Sequence, residues 1–339
     1  MSDVERRDFK VRTVDGVNIA VRDVKAVNAA TLARTPVLLM HGTRVPGLSE
    51  FDLDAPNGSL ARDLAIAGHR SFIPDARGFG GSDRPSEMGR PPAESRPLAR
   101  CLEITRDVDA TVDAMRETTG AAAVAMLGWG VGATMLMMYA SIWPEKVSHL
   151  MLYNPLYGGG THHPRYNGAG LADPANPLRF NAREFGGYNY NPLGHLLEKW
   201  DSSIPIADKD SWRDPATAAA FAQALADGDP TTNTREPPTF RSPNGMLEDS
   251  FYIGIGEKLV HANQVRCKVM IIRPELDYFS RPEDVAELRR DLVNAETIRL
   301  WEPRNATHYV LLDRPERGRA ATIAAMLDFL RDTSSGTDF

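Results

Sequence analysis

Cysteines and long apolar runs are both scarce in this sequence. Its 339 residues include two cysteines, Cys101 and Cys267, which is too few for a disulfide framework. No apolar run reaches the roughly 18–20 residues that a membrane-spanning helix requires, and residues 1–8 contain no apolar core of a signal peptide. These absences predict a cytoplasmic protein with no membrane partner.

An excess of positive charge is absent as well. The chain carries 45 acidic and 39 basic residues, and its formal net charge of −6 disfavours nucleic acid as a partner. The hydrophobic share of 42% is ordinary for a globular protein. A chain of 339 residues is long enough for one large domain or for a core with an inserted segment.

Apolar runs and helical spacing alternate through much of the chain. Residues 9–13 and 17–22 flank Asp15-Gly16, a turn pair typical of a β-hairpin. The predicted strands that follow cover residues 36–40, 70–74, 121–127, 147–153, 268–273 and 297–301. The predicted helices cover residues 60–68, 104–117, 133–142, 282–291 and 317–331. This alternation predicts an α/β fold with a mostly parallel central sheet and helices on both faces.

The alternation breaks between residue 156 and about residue 262. Gly, Pro, Asn and aromatic residues are frequent there, and a structureless span of that length is unusual inside a compact domain. We therefore predict a core formed by residues 1–156 and 263–339, and an inserted, largely helical lid at residues 157–262. The predicted helices of the lid cover residues 193–200, 216–227 and 256–264.

The most informative stretch of the chain is Gly128-Trp129-Gly130-Val131-Gly132. It lies between a predicted strand and a predicted helix, and its glycine spacing fits the G-x-S-x-G nucleophile elbow of α/β-hydrolases. The central position, which carries the attacking side chain in that motif, is Gly130 here. Because an elbow holds its central residue in a strained conformation with positive φ, glycine is expected to stabilise the fold while removing covalent catalysis.

Four further signals occur in the order that the same family uses, so the core resembles the α/β-hydrolase superfamily. His41-Gly42 follows a strand and is similar to the family's oxyanion loop, and residues 75–82 are similar to the loop after the next strand. Asp277 follows a later strand, and His308 precedes the last helix. The resemblance covers roughly residues 8–156 and 263–332, and it implies an α/β-hydrolase fold.

The resemblance also implies roles for individual residues. Asp277 corresponds to the acid that orients the base, with Glu275 as the alternative, and His308 corresponds to the base. Gly130 stands at the nucleophile position. The backbone N–H groups of Thr43 and Val131 correspond to the donors that bind an oxyanion. No metal and no cofactor are expected.

Several residues are candidate contacts for a small-molecule substrate that is apolar or aromatic in part. Arg44 follows the oxyanion turn and is interpreted either as a contact for an anionic substrate group or as a solvated arginine. Trp129 belongs to the elbow. The remaining candidates are aromatic residues of the lid, for which ordinary packing is the alternative: Tyr188, Tyr190, Trp200 and Phe251.

Three interpretations of the glycine remain open. In the first interpretation, the chain is an inactivated or substrate-trapping Ser→Gly form of a hydrolase that cleaves ester, lactone or related acyl bonds. Alternatively, it is a natural enzyme without a nucleophile, in which Asp277 and His308 form a general base for elimination, cyclisation, decarboxylation or cofactor-free oxygenation. In the third interpretation it is a non-catalytic binding protein, like the N-myc downstream-regulated relatives of α/β-hydrolases.

Overall fold

An eight-stranded sheet forms the centre of the protein. The computed structural model describes residues 3–27, 35–161, 163–166 and 170–331. The strands, in chain order, are β1 (Val4–Arg12), β2 (Asn18–Ala26), β3 (Val37–Met40), β4 (Ser71–Pro74), β5 (Val124–Trp129), β6 (Val147–Tyr153), β7 (Ala172–Asp173), β8 (Asn176–Phe180), β9 (Tyr188–Pro192), β10 (Thr239–Pro243), β11 (Lys268–Ile272) and β12 (Ile298–Trp301). The central sheet has the order β1-β2-β4-β3-β5-β6-β11-β12.

Most neighbouring strands of this sheet run parallel. The pairs β1/β2 and β2/β4 are antiparallel, and every pair from β4 to β12 is parallel. The helices are α1 (Gly47–Phe51), α2 (Leu60–Ile66), α3 (Cys101–Thr119), α4 (Val131–Ile142), α5 (Ala182–Phe185), α6 (Gly194–Ser203), α7 (Pro215–Asp227), α8 (Gly245–Gly254), α9 (Pro282–Asp291) and α10 (Arg319–Arg331). The predicted α/β fold with a mostly parallel sheet is confirmed.

Alternating side chains of the central strands pack on opposite faces of the sheet. In β3, Leu38 and Met40 belong to the apolar cluster that includes residues of α3 and α4. Val37 and Leu39 belong to a second cluster, which includes residues of α2 and α10. All four side chains of β3 are fully buried, as expected for a strand covered by helices on both faces. The carboxyl ends of the parallel strands therefore meet at one edge, where the loops are free to form a site.

The insertion, defined here as residues 154–267 between β6 and β11, contains strands as well as helices. Its helices are α5 to α8, and its strands form two small sheets, β7/β8 and β9/β10. The predicted helices at residues 193–200 and 216–227 correspond to α6 and α7. The helix predicted at residues 256–264 is wrong, since α8 ends at Gly254 and only a short 3₁₀ turn follows at Ala262–Gln264.

Buried polar contacts attach the insertion to the core. The indole N–H groups of Trp200 and Trp212 donate to the carboxylate of Asp313, at 2.8 and 3.1 Å. Thr217 Oγ1 donates to the carbonyl of Pro56 at 2.7 Å. Both cysteines are free and buried. Within the described residues, no helix is long and apolar enough to cross a bilayer.

Candidate active site

The turn after β5 has the backbone of a nucleophile elbow. Gly130 links β5 to α4 with φ 58° and ψ −116°, and its N–H donates to the carbonyl of Tyr153 at 2.8 Å. A Cβ on Gly128 would lie 2.4 Å from the backbone of Gly132, and a Cβ on Gly132 would lie 2.5 Å from the carbonyl oxygen of His41. The two flanking glycines are therefore required by close backbone contacts.

Position 130 itself has room for a side chain. A Cβ built on Gly130 would have the ring of Phe279 as its nearest neighbour, at 3.4 Å, which is ordinary van der Waals contact. Gly130 lines the cavity at the carboxyl edge of the sheet, together with His308. A side chain at this position would therefore point into the cavity without a steric clash, at the cost of the unfavourable backbone conformation alone.

Asp277 and His308 form a tight pair beside the elbow. His308 Nδ1 lies 2.7 Å from Asp277 Oδ1. The carboxylate of Asp277 also accepts the N–H groups of Phe279 and Ser280, both at 2.9 Å. The backbone carbonyl of His308 accepts hydrogen bonds from Tyr153 Oη at 2.5 Å and Asn154 Nδ2 at 2.9 Å. The structure thus brings together the predicted acid, the predicted base and position 130.

Trp129 forms a hydrogen bond with the other ring nitrogen of His308. Its indole N–H donates to His308 Nε2 at 3.1 Å, which makes Nε2 an acceptor and leaves the proton on Nδ1, toward Asp277. The indole is 2% exposed and packs edge-on against the ring of Tyr153 at 4.8 Å. The nitrogen that would take a proton from an elbow hydroxyl therefore receives an N–H donor. The sequence prediction placed Trp129 near the substrate but did not foresee this bond.

The loop after β3 also lines the cavity. His41 is buried and its Nε2 accepts the N–H of Ala76 at 3.0 Å, so this ring holds the neighbouring loop in place. Thr43 and Val131 both line the cavity. Val131 is the first residue of α4, and the first N–H groups of a helix have no acceptor within it. Both residues whose amides were predicted to bind an oxyanion therefore border the cavity.

Glu50 of α1 is a cavity residue that sequence reasoning missed. Its carboxyl group is buried and accepts the N–H of Gly42 at 2.9 Å. Burial raises the pKa of Glu50 well above its usual value, because the charged form loses its hydration there. Glu50 lies in a five-residue helix without a recognisable motif, so only the fold could place it beside the oxyanion loop.

The cavity is small, at about 80 Å³, and both the core and the insertion line it. The core contributes Arg44, Tyr278 and Tyr309 in addition to the residues described above. The insertion contributes Arg165, Tyr166, Leu196, Phe221 and Leu247. Two arginines therefore face a narrow space that also holds the imidazole of His308.

Four predicted substrate contacts pack elsewhere, and this expectation is corrected. Trp200 is fully buried, stacks on Tyr309 and donates to Asp313. Phe251 is buried between Phe180 and Tyr252. Tyr188 donates to the carbonyl of Arg90, and Tyr190 is 45% exposed on the same small sheet. None of the four lines the cavity, because each of these rings is directed into packing between the insertion and its surroundings or toward solvent.

Clusters of metal-binding side chains are absent from the described residues. His163 uses both ring nitrogens within the chain, since Nε2 lies 2.8 Å from the carbonyl oxygen of Phe279 and Nδ1 accepts the N–H of Arg165.

Comparison with known proteins places this chain in a family. A short segment of 49 residues is 43% identical to the poly(3-hydroxyalkanoate) polymerase subunit PhaC of Haloferax mediterranei, and it spans 14% of this chain and about a tenth of that polymerase. The structure is similar to that of E-2-(acetamidomethylene)succinate hydrolase, with a TM-score of 0.61 and 14% identity over 97% of this chain and 100% of the other. An esterase of Thermogutta terrifontis is similar with a TM-score of 0.59 and 16% identity, over 95% of this chain and 99% of the esterase. The alpha/beta hydrolase fold family matches residues 35–315, most of the sequence, and the chain belongs to this family.

Proposed function

We propose that the cavity binds a small substrate with an ester, thioester or lactone carbonyl, and that the chain as written holds it without forming an acyl-enzyme. The observation that carries this proposal is the convergence of three parts on one cavity: the Asp277–His308 pair, the elbow geometry of Gly130, and the helix N-terminus at Val131. One structural neighbour is named as an esterase, which agrees with acyl chemistry at the level of the fold.

The proposed roles follow from hydrogen-bonding capacity. The substrate carbonyl oxygen accepts the N–H groups of Thr43 and Val131, which stabilise negative charge that develops on it. With a serine at position 130, the hydroxyl proton would pass to His308 Nε2 while the oxygen bonds to the carbonyl carbon. The imidazolium would return that proton to the departing alkoxide or thiolate, and water would then hydrolyse the acyl-enzyme. With glycine, no atom is available for the first bond.

The test is to restore the missing atom. We expect Gly130→Ser to hydrolyse p-nitrophenyl acetate at least about 10³-fold faster than Gly130→Ala, since the loss of a nucleophile from such a site costs roughly 10⁴–10⁶ in rate. Gly130→Ala is the matched control, because it adds the same Cβ without the hydroxyl. Adding His308→Ala to the serine variant should abolish the gain.

Substitution of Trp129 adds a second test to this experiment. Its indole N–H competes with a serine hydroxyl for His308 Nε2, and a neutral hydrogen bond contributes about 1 kcal/mol, or roughly fivefold in rate. We expect Trp129→Phe to raise the activity of the Gly130→Ser variant by a few fold. A folded Gly130→Ser protein with no more esterase activity than Gly130→Ala, with or without Trp129→Phe, would overturn the proposal.

A second candidate function is general-base catalysis without a nucleophile. The tautomer of His308 favours it, because Asp277 holds the proton on Nδ1 and leaves Nε2 as the basic nitrogen. The indole N–H of Trp129 must release Nε2 before this nitrogen can take a proton from a substrate. The base would remove a proton from a carbon next to a carbonyl, and the amides of Thr43 and Val131 would stabilise the enolate.

Deuterium exchange tests the second candidate on the chain as written. We expect the α-protons of methyl acetoacetate in D₂O to exchange faster with this protein than with its His308→Ala variant, as followed by proton NMR. Equal exchange rates would exclude the general-base role. Substrate binding that persists while both chemical tests fail would indicate the non-catalytic interpretation instead.

A further inference from the structure

Two arginines line the candidate active site, and neither has an acidic partner among the described residues. Arg44 comes from the loop after β3, and Arg165 comes from the insertion. In the part of the chain that the structure describes, no carboxylate forms an ion pair with either guanidinium. Burial lowers the pKa of Arg44, and the charge of Arg165 lowers it further, so the two groups repel each other.

Two buried arginines of the core are paired with carboxylates, whereas the partly buried Arg84 donates to backbone carbonyls. Arg77 contacts the carboxylates of Asp15, Glu103 and Asp107, and Arg319 pairs with Asp63 at 2.6 Å. An ion pair with a carboxylate is the usual way to offset the hydration free energy that a guanidinium loses when it is buried. Arg44 and Arg165 have no carboxylate partner among the described residues, and the contacts of Arg165 with Tyr278 are made to a neutral side chain. We take this as an indication that a ligand supplies the negative charge.

The surroundings of the cavity do not cancel this positive charge. Lys199 and His195 of α6 lie close enough that the arginines lower the pKa of each, in addition to the effect of burial. Glu198 is the acidic neighbour of these two residues and offsets them in part. Glu50 lines the cavity, but burial favours its neutral form. Asp277 is occupied by His308 and two backbone amides.

We propose that Arg44 and Arg165 bind a carboxylate or phosphate group of the substrate, so that the site is selective for anionic acyl compounds. A guanidinium matches both oxyanions, because its N–H groups form paired hydrogen bonds with two oxygens. This inference rests on the proposed function for the reacting carbonyl. It adds an anionic group to the expected substrate, and it extends the interpretation of Arg44 as a contact for such a group to Arg165.

The geometry also limits the distance between the anionic group and the reacting carbonyl. The guanidinium of Arg165 lies over the ring of Tyr278, 5.5 Å from its centroid. The same ring packs against the imidazole of His308, with centroids 4.9 Å apart. The anionic group is therefore held about one aromatic ring away from the base, which a spacer of a few carbon atoms can bridge.

Binding of matched esters to the chain as written tests the proposal without requiring turnover. We expect monomethyl succinate to bind at least tenfold more tightly than dimethyl succinate by isothermal titration calorimetry at low ionic strength, and this preference should shrink as salt is added. Arg44→Gln and Arg165→Gln should each remove most of the preference, which is the ratio of the two affinities measured on the same variant. Arg290→Gln, at an arginine that is 68% exposed and outside the cavity, is the matched control. Methyl phosphate, measured in parallel, shows which oxyanion the site prefers.

The outcomes separate this inference from the proposed function. Equal affinities of the unmodified protein for the monoester and the diester would overturn the anion site, whatever the variants do. A preference that survives both arginine substitutions would overturn the assignment to these residues. If Gly130→Ser gains esterase activity but charge has no effect on binding, only the anion site fails. If the anion preference holds and Gly130→Ser hydrolyses neither p-nitrophenyl acetate nor monomethyl succinate, only the acyl-transfer proposal fails.

Discussion

Gly130→Ala measures the strain that the elbow would impose on any side chain. The substitution is expected to destabilise the protein only through strain in the backbone conformation, because the nearest neighbour of the added Cβ is the Phe279 ring at 3.4 Å. A non-glycine residue at φ 58° and ψ −116° costs about 1–3 kcal/mol. With an unfolding entropy of about 2.1 cal/mol/K per residue, a chain of 339 residues loses about 1.4 °C of Tm per kcal/mol, so Tm should fall by about 1.5–4 °C.

Thermal and denaturant unfolding followed by circular dichroism measure this loss. Two other glycines provide the controls. Gly89 has open space around its Cα and no positive φ, so Gly89→Ala should be neutral or stabilising by about 0.4–1 kcal/mol. Gly120 also has open space but has φ 71°, so its alanine variant measures the cost of an ordinary left-handed conformation, roughly 1–2 kcal/mol. The reasoning is refuted if Gly130→Ala is as stable as Gly89→Ala.

Two further predictions concern buried carboxyl groups. Burial raises the pKa of Asp313 to about 7. The folded protein therefore retains a proton that the unfolded chain releases near pH 4. The stability that the protonated Asp313 contributes is present at low pH and is lost as pH rises toward about 7. Urea unfolding from pH 4 to pH 8 should show a steeper decline of stability in the parent than in Asp313→Asn, and parallel curves would contradict it. Glu50→Ala should lower the free energy of unfolding by about 1–3 kcal/mol, because the N–H of Gly42 loses its buried acceptor. Glu50→Gln keeps an acceptor oxygen and should lower it clearly less. Equal losses of stability in urea unfolding would show that this hydrogen bond is unimportant.

The core of the fold could be predicted because its signals are local. The apolar runs that became β3, β5, β6 and β11 are short and bounded by turn residues, and such runs typify buried parallel strands. The positions of Asp277 and His308 followed from their places after strands in an ordered motif. Parallel strands end at the same edge, so residues at their carboxyl ends meet without any further information.

The insertion was harder to predict because its strands are polar and its helix boundaries are ambiguous. β8 and β9 consist largely of Asn, Pro, Tyr and exposed residues, which carry little strand signal. The start of α8 lies in Pro243-Asn244-Gly245, a combination typical of turns. The aromatic side chains of the insertion were expected in the cavity, but burying a ring against any apolar surface is favourable, and only the tertiary structure shows which surface it meets.

The most specific features of the site depend on residues that are distant in sequence. Trp129 donates to His308 across 179 positions of the chain. Arg165 lies near Arg44 only because the insertion folds back over the sheet edge. Residue spacing does not reveal such contacts. The sequence therefore indicated the acid, the base and the elbow position, but not the charge of the cavity.

The Asp277–His308 pair also contributes to stability, and its two members should do so unequally. Asp277→Ala leaves three buried donors without an acceptor: the N–H groups of Phe279 and Ser280, and His308 Nδ1. His308→Ala leaves the carboxylate with its two amide donors, and the indole N–H that loses its acceptor borders the cavity. At about 1–3 kcal/mol for each unpaired buried group, Asp277→Ala should cost at least twice as much stability as His308→Ala in urea unfolding. Equal losses would mean that the two amides do not hold the carboxylate in place. The asymmetry matters for the functional tests, because a variant that removes the base while sparing the fold separates loss of chemistry from loss of structure.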